Sequence, residues 1–185
     1  MRKMEIEMEN FFIFNGTVPV NWFSKIQEDS ILSNFYRISP VFYSIAGLCV
    51  LIFNTSLKKH DEYFPWPIFG ILLIIQGLFS YMGDVENWGE KSYWGTIDVY
   101  LASTLTFIGG PLLILRSLMG YSKYPKSFTF LWSCCVLFAL YSKLMAKDSI
   151  TQNNIEDYLL WHSLWHCLPV YATILITLLS FGLLK

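Results

Sequence analysis

Five stretches of this chain approach the length and apolarity needed to cross a lipid bilayer, and short polar connectors separate them. A spanning helix needs about 20 mostly apolar residues, because each residue rises about 1.5 Å and the hydrocarbon layer is about 30 Å thick. The stretches cover residues 38–53, 67–83, 96–118, 128–145 and 158–184. Lipid offers no partner to an unpaired backbone amide, so each stretch is predicted to be helical. Composition agrees, with 54% hydrophobic and only 15% charged residues, against about 25% charged in a typical soluble domain. The predicted fold is all-α: a multi-pass transmembrane helical bundle of about five spans in an integral membrane protein. Residues 1–37 are expected to form an extramembrane or interfacial arm, and residues 38–185 the bundle.

The connectors carry the expected signals. Lys58, Lys59, His60, Asp61 and Glu62 separate the first two spans, Glu86, Glu90 and Lys91 the next two, and Lys123 to Lys126 the third from the fourth. Trp66, Trp88, Tyr93, Trp94, Tyr121, Tyr124, Trp132, Tyr158 and Trp161 cluster near span ends, the pattern of an interfacial aromatic belt. Phe11 to Phe14 is too short to cross and is expected to lie in the interface. No apolar core with a cleavage site follows Arg2 and Lys3, so no removable signal peptide is expected. The net charge of -1, without a block of like charges, argues against a nucleic-acid partner. Membrane lipid is the expected partner. Cys49, Cys134, Cys135 and Cys167 all sit in apolar runs and read as packing residues rather than a disulfide framework or metal pair.

Call the N-terminal side of the membrane side A and the other side B. Lys58, Lys59, Arg116, Lys123 and Lys126 make the short loops of side B slightly more basic, which hints that B is cytoplasmic. Two glycosylation-type triplets begin at Asn15 on side A and Asn54 on side B, and with five spans at most one of them faces a lumen.

Polar residues inside apolar spans are expensive and are functional candidates by default. Two of the three histidines, His162 and His166, stand four apart near the start of the last span. That spacing puts both imidazoles on one helix face, where two can grip one metal ion. Ser80 and Asp84 share the same spacing at the end of the second span, and Asp98 lies just inside the third. Five spans bring all of these to side A. If Gly109, Gly110 and Pro111 divided the third span into two passes, the histidines would move to side B and the cluster would dissolve. Two imidazoles and one carboxylate, from His162, His166 and Asp84, can hold Zn²⁺ with an open fourth position. The ion would bring the pKa of a bound water to about 7. Asp98 could take and return a proton, and Ser80 could orient the water or a developing oxyanion. In a membrane leaflet the substrate in reach is a lipid, and hydrolysis of a lipid amide or ester is the natural chemistry. The alternatives are a non-catalytic receptor, scaffold or lipid-binding protein with a structural metal site, and a small transporter with these groups along a polar path.

The pattern Ser80…Asp84, Asp98 and His162…His166 resembles the CREST superfamily of membrane hydrolases. That group includes the alkaline ceramidases, the progestin and adiponectin receptors and the myomaker-like proteins. Its signature is Ser-xxx-His at the end of one helix, Asp at the start of the next and His-xxx-His in the last. The string from Trp161 to His166 is the closest local match, and Glu28 to Asn34 resembles the ceramidase-like branch. The resemblance implies that the histidines ligate zinc while Asp98 and Ser80 position or activate water. This chain departs from the pattern in three ways. Asp84 stands where the first histidine would be, five spans replace the usual seven with parity preserved, and Asn21 to Lys25 lacks the carboxylates of the ceramidase calcium site. The calcium site is therefore not carried over.

Overall fold

Proline and small residues decide where this chain bends and where its helices touch. The computed structural model describes residues 22–88 and 92–184. The expectations for Phe11 to Phe14, the Asn15 triplet, Asn21, Glu90 and Lys91 fall outside the described residues. After a short helix α1, Phe23–Ile26, Ser30 caps α2, Ile31–Ile38, by accepting the Ser33 amide at 3.1 Å. Pro40 lacks an N–H and ends α2. The chain bends by 42° and continues as α3, Val41–Ile52.

With 12 residues, α3 is only about 18 Å long, too short to cross alone. The pair α2 and α3 is long and apolar enough only together, so this segment is bent and not the straight helix expected over 38–53. The predicted boundary between arm and bundle falls inside this pair. Next come α4, Asn54–His60, and α5, Trp66–Tyr81, which runs into a wide π turn, Met82–Glu86. Asn54 opens α4 with its side-chain oxygen buried, so its triplet is not the exposed loop that glycosylation needs.

The third span is one continuous helix. α6, Tyr93–Phe107, passes through a second π turn, Ile108–Leu112, into α7, Leu113–Leu118. Pro111 cannot donate to the carbonyl four residues back, and the wide turn absorbs the defect. The carbonyl of Gly109 accepts the Trp132 indole N–H at 2.8 Å. α8, Lys126–Thr151, α9, Ile155–His166, and α10, Leu168–Ser180, complete the chain.

The described residues are all helix and connectors. Four helical segments are long and apolar enough to span, and the bent pair makes a fifth. The chain is an integral, multi-pass membrane protein. On side A the last two spans reach further out than the apolar runs suggested: α8 runs on through Thr151 and α9 begins at Ile155. Asn153, with φ of 54°, makes the tight turn between them, a conformation asparagine tolerates.

Helices α3 and α5 touch backbone to backbone. A Cβ on Gly47 would sit 2.5 Å from the Gly70 carbonyl oxygen, the close approach that small residues allow between membrane helices. Side B is closed by polar ties. Arg116 grips the buried Asp61 carboxylate with two bonds of 2.7 and 2.6 Å, and His60 and Lys123 exchange backbone and ring contacts at 2.6 and 3.1 Å. The aromatic belt is only partly a belt. Tyr93 and Tyr121 face outward, but Trp66, Trp88, Trp132 and Tyr158 are buried. Trp88 and Tyr158 join Trp22 and Tyr36 in a second core on side A. Composition near a span end does not reveal which way a ring points.

Candidate metal centre

Helix α5 presents Gln76, Ser80 and Asp84 at successive four-residue steps, so all three share one face. The π turn at its end is closed by the Asn87 amide on the Met82 carbonyl, 3.1 Å away. Gly83 lets this turn meet the start of α6, since a Cβ there would lie 3.0 Å from the Cα of Gly95. The carbonyl of Asp84 accepts the Tyr36 hydroxyl at 3.3 Å. The Asp84 carboxylate then points inward. Ser80 donates to its Oδ2 at 3.1 Å.

Helix α9 brings the histidines. Asn154 caps it by accepting the Asp157 amide at 3.3 Å, and His162 and His166 follow on one face with ring centroids 4.6 Å apart. His162 Nε2 lies 3.2 Å and His166 Nε2 3.6 Å from Asp84 Oδ2. Tyr36 and Tyr158 pack against the His162 ring at 5.4 and 5.1 Å, and Tyr43 meets the His166 ring edge-on at 5.5 Å. Ser39 Oγ lies 2.8 Å from His166 Nδ1. His166 is buried, while Asp84 and His162 keep side-chain exposures of 17% and 15%. That residual opening leaves room for an exchangeable ligand.

These three residues could hold a metal ion. One ligand atom from each lies within 4.8 Å of the others. A four-coordinate ion with bonds of about 2.0–2.1 Å sets its ligand atoms about 3.3–3.4 Å apart. The two histidine-to-carboxylate distances, 3.2 and 3.6 Å, bracket that spacing. Two imidazole nitrogens and a carboxylate oxygen are a donor set that a borderline cation takes.

Asp98 stands behind the triad on α6 and is 7% exposed. Gln76 donates to its Oδ1 at 2.5 Å and to the Asp98 backbone carbonyl at 3.4 Å. Its other neighbours are Asp84, Ser80 and Lys143. The Lys143 ammonium rests over the Trp165 ring at 4.9 Å. Of the five residues singled out from sequence, four make direct contact, and Asp98 lies beside Ser80. Sequence reading passed over Gln76, whose place four residues before Ser80 in an apolar span was the available signal. It also passed over Tyr36, Ser39 and Tyr43, which come from the bent α2–α3 pair. The four cysteines are all free, and none belongs to the triad.

A narrow apolar cavity, partly open to its surroundings, begins at Tyr43 and runs between the helices toward side B. Leu168 and Leu105 line its upper part, and Leu57, Trp66 and Phe128 its far end. Compared with known protein families, with curated proteins and with solved structures, the chain matches none.

Proposed function

We propose that this chain is a metal-dependent intramembrane hydrolase of a lipid amide or ester, a divergent relative of the CREST superfamily. In this reading Asp84, His162 and His166 hold zinc. The observation that carries the proposal is the convergence of two imidazoles and two carboxylates from three spans at one depth of the bundle. Bound there, zinc supplies Lewis-acid activation of a water and of the scissile carbonyl. Ser80 gives its one hydroxyl hydrogen to Asp84 and so orients that carboxylate. Gln76 occupies Oδ1 of Asp98, which leaves Oδ2 to receive a proton from the attacking water and return it to the leaving amine or alcohol.

The cavity supports a lipid as the substrate. One of its walls is Tyr43, whose ring also meets that of His166, and its walls are almost wholly apolar. A hydrocarbon chain suits such walls, with the scissile group held at the centre and the tail directed to side B. The same walls do not suit a proton or ion path across the bundle. A metal serving only as a brace would need no cavity at its side.

The test is hydrolysis by the full chain, purified in detergent and returned to lipid, offered ceramides and long-chain esters. The proposal expects release of fatty acid that stops on chelation and returns with zinc. A folded, zinc-loaded protein that cleaves none of them would overturn the enzyme reading and leave a non-catalytic membrane protein with a structural metal.

A further inference from the structure

The break at Pro40 fixes the orientation of a buried hydroxyl beside the metal centre. Tyr36 lies four residues before Pro40, so its carbonyl has no i+4 amide to accept. The Ser39 amide reaches that carbonyl only at 3.3 Å, and the Ser39 hydroxyl donates to it at 2.9 Å. A serine hydroxyl has one hydrogen to give. Once given to Tyr36, it is not available to His166 Nδ1, 2.8 Å from the same oxygen. That short contact is then a hydrogen bond only if Nδ1 carries the hydrogen and Ser39 accepts it.

A neutral imidazole protonated at Nδ1 has a bare lone pair at Nε2. Nε2 is the atom that faces Asp84 Oδ2 at 3.6 Å and Ser80 Oγ at 3.5 Å. The nearer partner of the Ser80 hydroxyl is Asp84, at 3.1 Å. A lone pair and a carboxylate therefore converge on one point, an arrangement that calls for a cation between them.

We propose that Ser39 is a positioning residue of the metal centre: its buried hydroxyl, aimed by the Pro40 break, holds His166 in the Nδ1–H tautomer that makes Nε2 a ligand. This rests on reading Asp84, His162 and His166 as a metal centre. Outer partners of ligating histidines act in this way, fixing ring orientation and tautomer, and their loss typically costs about 10–100-fold in metal affinity.

The test uses the full chain in detergent and two readouts. Zinc affinity is measured by competition with a chromogenic chelator, and the histidine tautomers are read from ¹⁵N chemical shifts of the zinc-free protein. Ser39→Ala is expected to weaken zinc about 10–100-fold and to move His166 from one tautomer to a mixture. Ser39→Cys, similar in size and a poor acceptor, serves if the alanine variant does not fold. A wild-type tautomer spectrum together with wild-type zinc affinity in either folded variant would overturn the assignment. If the wild type binds no zinc, the metal reading fails, and the tautomer spectrum still decides the role of Ser39.

Discussion

His162 Nε2 lies 3.2 Å from Asp84 Oδ2, a contact between residues 78 positions apart. One sits at the end of the α5 span and the other near the start of the α9 span. They meet because the chain crosses the membrane twice between them, so both fall on side A. The π turn at Pro111 is what preserves that count, by letting Tyr93–Leu118 remain one crossing. The centre thus depends on a proline defect far from it being absorbed within a single helix.

Asp98 and Ser80 should separate chemistry from metal binding. Asp98→Asn keeps the shape and the contact to Gln76 but cannot accept a proton. Hydrolysis of the lipid substrate should fall about 10²–10⁴-fold with zinc content unchanged. Ser80→Ala removes a bond to Asp84 itself, so it should weaken zinc by about 10-fold or more. Loss of zinc in Asp98→Asn would make that residue a ligand, contrary to its assigned role.

Filling the cavity should shorten the chain it accepts. Ala172 lines it from α10, and Ala172→Phe places a ring in the path of a hydrocarbon tail. Each methylene kept out forfeits about 0.8 kcal/mol, so kcat/KM should fall about fourfold per carbon for the longest substrates and hold for short ones. A uniform loss across chain lengths would place the tail elsewhere.

The ion pair on side B should matter for stability and not for the centre. Asp61 is 1% exposed and Arg116 is its bidentate partner. Arg116→Ala leaves a buried carboxylate uncompensated, at a cost of about 3–5 kcal/mol. Denaturation in detergent should show the loss, with zinc stoichiometry intact. Asp61→Asn combined with Arg116→Met should recover most of it, because the pair is replaced instead of broken. Equal instability in the single and double variants would mean that the pair's geometry, and not the stranded charge, holds the loops.

The span pattern and the polar cluster were both legible in the sequence. Apolar runs of bilayer length cannot hide, and two histidines at helical spacing in such a run stand out as ionisable groups on one face. The position of Asp84 followed from parity alone. Other features were illegible for physical reasons. Whether Gly109, Gly110 and Pro111 end a helix or widen one turn depends on packing against other spans, and Trp132 donates to the Gly109 carbonyl from one of them. Burial of Trp88 and Tyr158 depends on rotation of the helix ends, which hydropathy does not encode. Ser39 carries no signal as a residue type. Its role comes from the proline after it and from a histidine 127 positions away.

The most direct measurement is elemental analysis of the purified, folded chain beside a His162→Ala/His166→Ala double variant of matched stability. The account predicts close to one zinc per chain in the wild type and none in the variant. A folded wild type that carries no metal, even after exposure to zinc, would contradict it.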